Sequence, residues 1–189
     1  MPSGFDAVIL AGGRARRLGG LHKPDVLVGG RPVLSRVADA VTAAGRLIVV
    51  GPRSSVPARA LTVREDPPGG GPVPALAAGL PHVRAPWVAL LAADLPFLRA
   101  ADVEELRQGA STGDGAVALD ADGHDQWLIG VWRVDALREG LCAYEGTSLR
   151  GLLAPMQPTR LALNVPPDAP PPWLDCDTME DVETARAWT

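Results

Sequence analysis

The chain has 189 residues, enough for one domain with a buried core and short for two. Its formal net charge of −4 offers no general basic field to a nucleic acid or an anionic membrane, so any anion it binds must be held locally. No apolar run approaches the roughly 18 residues of a membrane span, and residues 1–6 lack a basic segment followed by an apolar one. Cys142 and Cys176 lie far apart without metal-ligand spacing, so a cytoplasmic protein without a disulfide is expected.

Phe5–Leu10 is an apolar run ending in glycine-rich sequence, which predicts a buried strand feeding a loop over residues 11–22. Residues 32–44 place Val33, Leu34, Val37, Val41 and Ala44 at helical spacing, with Pro32 in the first turn and Gly45 as the stop. Leu47–Val50 reads as a second strand and Ala60–Val63 as a weaker third, and a short helix is predicted at 75–80 after the Gly/Pro segment 67–74. Trp87–Ala92 is a further strand, running to Asp94, and residues 101–108 form a helix with Asp102 as its cap and Gly109 as its end.

The second half is less regular. Gly115–Leu119 and residues 128–132 read as strands about a turn at 120–125, residues 134–141, 148–153 and 179–188 as helices, and residues 160–163 as a strand. The proline-rich stretch 166–172 is a connector. Continuously apolar strands alternating with helices predict an α/β fold with a mostly parallel central sheet covered on both faces. Residues 1–189 are read as one domain, with a regular α/β half over 1–110 and a less regular half over 111–189.

Four segments carry candidate chemistry. The first is the loop Leu10-Ala11-Gly12-Gly13-Arg14-Ala15-Arg16-Arg17-Leu18-Gly19-Gly20, followed by Lys23. Glycines let main-chain N–H groups approach phosphate oxygens, and the cations neutralise them. Lys23 is the only lysine among 18 basic side chains, and a compact ammonium among phosphates is where arginine's planar fork substitutes poorly. The spacing is neither that of a Walker A loop nor that of a dinucleotide fingerprint.

The second segment, Asp94-Leu95-Pro96, puts a carboxylate at a strand's carboxyl end, where α/β sheets bind ligands, and where it can hold magnesium over a triphosphate. The third, Glu65-Asp66-Pro67-Pro68-Gly69-Gly70-Gly71-Pro72, has glycines that let main-chain groups read a base edge. The fourth holds Asp177 and Thr178 before a helix; Asp177 either completes the magnesium shell or caps the helix. His22, His82 and His124 are scattered and form no zinc or serine-hydrolase pattern.

In this order along nearly the whole chain, the opening loop with Lys23, the Gly71-Pro72 loop, Asp94-Leu95-Pro96 and Asp175-Cys176-Asp177-Thr178 resemble the molybdenum cofactor guanylyltransferase family. Leu-Ala-Gly-Gly resembles its guanylyl-transferring members, whereas cytidylyl-transferring relatives more often have Leu-Ala-Ala-Gly. The resemblance implies a Rossmann-like three-layer α/β/α nucleotidyltransferase fold. It also implies transfer of GMP from GTP to molybdopterin carrying molybdenum, which releases pyrophosphate.

Under the resemblance, Leu10, Ala11 and Gly12 would line the guanine and ribose, and Gly13, Arg14 and Arg17 with Lys23 the phosphates. Asp66 and Gly71 would face the nucleotide, and Asp94 would bind magnesium. Lys23, Arg17 and Asp94 are the expected catalytic residues. The family commonly has Asp before this lysine and Gly after it, where His22 and Pro24 stand here, and often Asn at the place of Asp177. Asp125-Gln126-Trp127-Leu128 matches a segment that usually has proline after Gln or His.

Other readings of the residues are cytidylyl transfer, sugar-phosphate nucleotidyl transfer, transfer to another phosphorylated acceptor, or a GTP-binding regulatory protein without turnover. A molybdoenzyme or a cofactor-delivery protein is the expected class of protein partner; neither nucleic acid nor membrane is expected.

Overall fold

In the computed structural model, which describes residues 4–12, 25–52 and 56–189, the apolar run Phe5–Leu10 forms strand β1 and is buried at every position. A two-stranded ribbon of β2 (Leu27–Val28) and β3 (Arg31–Pro32) leads into helix α1 (Val33–Ala40). The sheet continues with β4 (Leu47–Val50) and β5 (Ala60–Val63), then helix α2 (Pro72–Gly79) and strand β6 (Trp87–Ala92). Helix α3 (Ala100–Gly109) precedes a hairpin of β7 (Gly115–Leu119) and β8 (Asp125–Arg133). Helices α4 (Val134–Ala143) and α5 (Leu149–Leu153), strand β9 (Thr159–Ala162) and helix α6 (Met179–Ala187) complete the order.

The main sheet has the order β5-β4-β1-β6-β8-β7-β9. Strands β5, β4, β1 and β6 are parallel, β8 is antiparallel to both β6 and β7, and β9 is parallel to β7. Because strand side chains alternate between faces, Ala7 and Ile9 pack with α1, α3 and α6, while Val8 and Leu10 pack with α2, α4 and α5. The result is three layers, α/β/α. On one outer layer Val33, Leu34 and Val37 of α1 are fully buried, each contributing about 2 kcal/mol relative to exposure.

At the amino ends of the strands, Asp6 is buried and fully engaged. Its Oδ1 accepts from the Arg46 N–H at 2.8 Å, and its Oδ2 from the Arg84 and Ala85 N–H groups at 2.7 and 3.0 Å. One carboxylate thus ties β1 to the chain entering β4 and β6. This pairing across 78 residues is invisible to a local reading of the sequence.

Several boundaries differ from expectation for identifiable reasons. Helix α1 ends at Ala40, because Val41, Thr42 and Ala44 bond three residues back and tighten the chain into turns. Helix α2 begins at Pro72, behind Gly71 at φ +100°, a conformation suited to glycine. Asp102 is not the cap of α3. It sits in the first turn and accepts from the Arg99 N–H at 2.8 Å, while the Arg99 guanidinium binds its two oxygens.

Strand β8 starts at Asp125, because Oδ1 of Asp120 accepts from the Asp122 and His124 N–H groups, both at 2.9 Å, and closes the turn early. The cap of α6 is Thr178, whose hydroxyl accepts from the Asp181 N–H while Asp181 reaches back to the Thr178 N–H at 2.7 Å.

Candidate functional site

The carboxyl ends of β1 and β6 lie side by side. Leu10 is in register with Ala92, and the Ala93 N–H donates to the Leu10 carbonyl at 3.2 Å, which carries the pairing one step beyond β6. On the other flank the Ala11 N–H donates to the Val50 carbonyl at 2.7 Å. Leu10 buries its side chain on the α2 face of the sheet, so toward a ligand this stretch presents main chain from Ala11 onward. The strand order makes this a place where ligands bind: β1 is followed outward by β4 on one side and, after a return crossover, by β6 on the other.

Gly51, just past β4, supports the loop from beneath. At φ +153° it brings its main chain against Ala11, where a β-carbon would stand 2.8 Å from the Ala11 carbonyl carbon. Gly13, Arg14, Arg17 and Lys23 lie outside the described residues.

Asp94, two residues past β6, is half-buried on this edge. Its main-chain carbonyl accepts from the Cys176 N–H at 3.1 Å, and Cys176 is fully buried beneath. That bond brings the strand end carrying Asp94 together with the segment carrying half-buried Asp177. Thr178, not Asp177, is the N-cap of α6, so the capping alternative does not hold for Asp177.

Of the acidic pair after β5, the structure separates the two members. Asp66 is exposed, while Glu65 is buried and turns inward. Glu65 Oε1 accepts from the Gly69 N–H at 2.8 Å, and a β-carbon at Gly12 would stand 3.6 Å from its Oε2. Sequence reasoning named Asp66 and passed over Glu65; the glycines at 12 and 69–71 were the available signal. Gly71 caps α2, whose first and third residues, Pro72 and Pro74, have no N–H. That helix start is therefore poorly equipped to hold phosphate, and suits the base side of a nucleotide better.

The antiparallel β8 begins on this same edge. Ile129 is opposite Leu91, so Trp127 and Gln126 continue beside the chain that leads to Asp94. Arg160 donates to Asp125 Oδ2 at 2.9 Å, and Gln126 donates to Asp120 Oδ2 at 2.9 Å. Trp127 stacks on the buried Trp132, ring centres 6.4 Å apart.

Asp120, Asp122 and His124 at the tip of this hairpin have ligand-type atoms within 4.8 Å of one another. The Asp120 oxygens already serve the turn, which accounts for the grouping. Hydrogen bonds from the His124 and Asp122 N–H groups, with the nearby imidazole and Gln126, hold the Asp120 carboxyl below its ordinary value.

Residues 7–161 match the family model of the MobA-like NTP transferase domain. The molybdenum cofactor guanylyltransferase of Nitrobacter hamburgensis is 31% identical over 194 residues, covering 95% of this chain and 91% of that protein. The protein of the same description from Bradyrhizobium is 37% identical over 145 residues, covering 71% of this chain and 68% of its own length.

Among solved structures, the molybdopterin-guanine dinucleotide biosynthesis protein A of Archaeoglobus fulgidus superposes with a TM-score of 0.71 at 16% identity, covering 96% of this chain and 97% of its own. The 2-C-methyl-D-erythritol 4-phosphate cytidylyltransferase of Thermus thermophilus gives 0.75 at 16%, covering 98% of each chain. At such identities the structures speak for the fold, and the family match and the relatives for the rest. This chain belongs to the MobA-like NTP transferase family and is a nucleotidyltransferase.

Proposed function

We propose that the chain transfers GMP from GTP to molybdopterin, giving molybdopterin guanine dinucleotide and pyrophosphate. The observation that carries this reading is the convergence, on one carboxyl edge of the sheet, of the Leu10–Gly12 turn, Asp94, the Asp177 segment and the glycine-rich loop after β5, in a chain whose relatives carry that name. A terminal phosphate oxygen of the acceptor attacks the α-phosphorus of GTP. The new phosphorus–oxygen bond forms as the bond to the β-phosphate oxygen breaks, and pyrophosphate leaves with that electron pair. Such a reaction asks the protein mainly for alignment and charge stabilisation.

Ala11 and Gly12 line the base and ribose, and Gly13, Arg14, Arg17 and Lys23 receive the phosphates. Asp94, joined by Asp177, holds magnesium; the Cys176–Asp94 main-chain bond brings their segments together, and carboxylates suit a hard cation that prefers oxygen ligands. The ion, when bound, offsets charge on the triphosphate. Gly71 and the exposed Asp66 form the outer wall of the nucleotide site, and residues 125–128 the start of the acceptor side. Residues 1–189 act as one domain, with a nucleotide half to residue 110 and an acceptor half beyond it.

Among the described residues no helix is long and apolar enough to cross a membrane, in keeping with a cytoplasmic site of action. A molybdoenzyme or a delivery protein takes up the product. Pyrophosphate release with molybdopterin and each of GTP, CTP, UTP and ATP tests the reading. GTP with magnesium is the expected pair, and a clear preference for CTP or UTP, or for a sugar phosphate as acceptor, would replace it. Magnesium-dependent GTP binding without any product would instead indicate a regulatory protein.

A further inference from the structure

The geometry points to Glu65 as the residue that selects guanine, by accepting a hydrogen bond from the 2-amino group of the base; this rests on the GTP reading above. Glu65 is 8% exposed, and its two oxygens differ in what they do. Oε1 is held by the Gly69 N–H at 2.8 Å, which fixes the carboxylate in one orientation. Oε2 is buried and has no hydrogen-bond partner among the described residues. A buried carboxylate oxygen left in that condition is costly, and calls for a donor.

The direction it faces is given by Gly12: a β-carbon there would stand 3.6 Å from Oε2 and 3.7 Å from Oε1, the nearest side-chain atoms among the described residues. Among the described residues, it is thus a residue without a side chain that stands between Oε2 and the opening turn. Gly69, which holds Oε1, is likewise open, with nothing described within 4 Å of where its β-carbon would stand, so glycine main chain borders the carboxylate on two sides and leaves a flat ring room to approach.

The chemistry of the oxygen then decides among bases. An ionised carboxylate only accepts. Guanine presents two adjacent donors, the ring N1–H and the 2-amino group. Cytosine and adenine each pair an amino group with an acceptor nitrogen, whose lone pair would oppose a carboxylate, and uracil sets a single N–H between two carbonyls. A carboxylate anchored at one oxygen fits guanine best. Exposed Asp66, its neighbour, lacks both the anchor and the confinement.

The test compares GTP with ITP, which lacks only the 2-amino group, by equilibrium titration and by pyrophosphate release, for the full-length chain and for Glu65→Gln. Glutamine keeps the shape; with its carbonyl on Gly69, it turns an amide N–H toward the base. The wild type should favour GTP over ITP about tenfold or more, since a site built for a donor rejects the analogue that lacks it. In Glu65→Gln that ratio should fall close to one.

A wild type that does not distinguish the two nucleotides, or a variant that keeps the ratio whether or not both weaken together, overturns the assignment. Should Glu65→Gln fail to fold, Gly12→Ala is read in the same way: its methyl fits at ordinary contact distance and covers Oε2, so the ratio should again collapse, and its retention overturns the assignment. A wild type that prefers CTP to both purines sinks the GTP reading itself, whereas active GTP turnover with an unchanged ratio in the variant sinks only the role of Glu65.

Discussion

The Cys176 N–H donates to the main-chain carbonyl of Asp94 across 3.1 Å, joining the chain just ahead of the last helix to the end of β6. Two aspartates separated by more than eighty positions thereby lie on neighbouring stretches of main chain. The bond that joins those stretches runs between main-chain groups, so substitution of either side chain leaves its donor and its acceptor in place.

Asp94→Ala should accordingly leave the far-ultraviolet circular dichroism intact and reduce turnover on the order of a hundredfold or more, the usual effect of losing one preorganised charge. Asp177→Ala should act more mildly, chiefly by raising the magnesium concentration needed for half-maximal rate. Titrating rate against magnesium for both variants checks this; equal and small effects would remove the pair from the site. Lys23→Ala should match Asp94→Ala in size.

Gly51→Ala tests the support beneath the opening turn. The added methyl would meet the Ala11 main chain at 2.8 Å from a backbone angle that L-residues rarely adopt. A loss of about 1–3 kcal/mol in stability is expected, with a raised KM for GTP at temperatures where the variant is still folded. Urea unfolding together with steady-state kinetics reads both.

Asp6→Ala should separate stability from chemistry. It strips three main-chain N–H groups of their buried acceptor at the amino edge of the sheet, opposite the candidate site. A cost on the order of 3 kcal/mol is expected, with kcat/KM for GTP little changed in the folded fraction. A large kinetic defect in well-folded protein would contradict this division between the two edges.

Asp120 supplies a pH dependence. Its folded value is lowered, first by the His124 N–H and then by the Asp122 N–H, the imidazole and Gln126. The ionised form is thus favoured by folding, and its contribution is complete above the unfolded value and lost as pH falls through the folded one. The difference in Tm between wild type and Asp120→Asn should therefore be largest near neutrality and shrink in acid. An NMR titration of the Asp120 carboxyl should show a midpoint below that of an ordinary aspartate.

How much of this was legible in the sequence varies with the range of the interaction. Strands β1 and β6 were readable because both their faces are buried, which leaves an unbroken apolar run that ends where the ligand edge begins. Asp94 followed from that ending. Glu65 and Asp66 could not be told apart, because which of two adjacent carboxylates turns inward depends on how the chain leaves β5 and finds Gly69. Likewise Asp177 kept both its readings, metal ligand or cap, until Asp181 was seen closing its box with Thr178. Early closure of the turn on Asp120 hid the first residues of β8, since the bonds that shape it come from a side chain.

The reversal of β8 has a bearing on how such a chain could change its substrate. With β7 parallel to β6 and β8 opposed to both, the tip of this hairpin emerges beside Asp94, while the four parallel strands around β1 take no part in forming it. A graft of residues 120–128 from a relative could thus redirect which molecule accepts the transferred group and leave the donor's half of the enzyme undisturbed. On the proposed function, acceptor choice would then be exchangeable as a cassette.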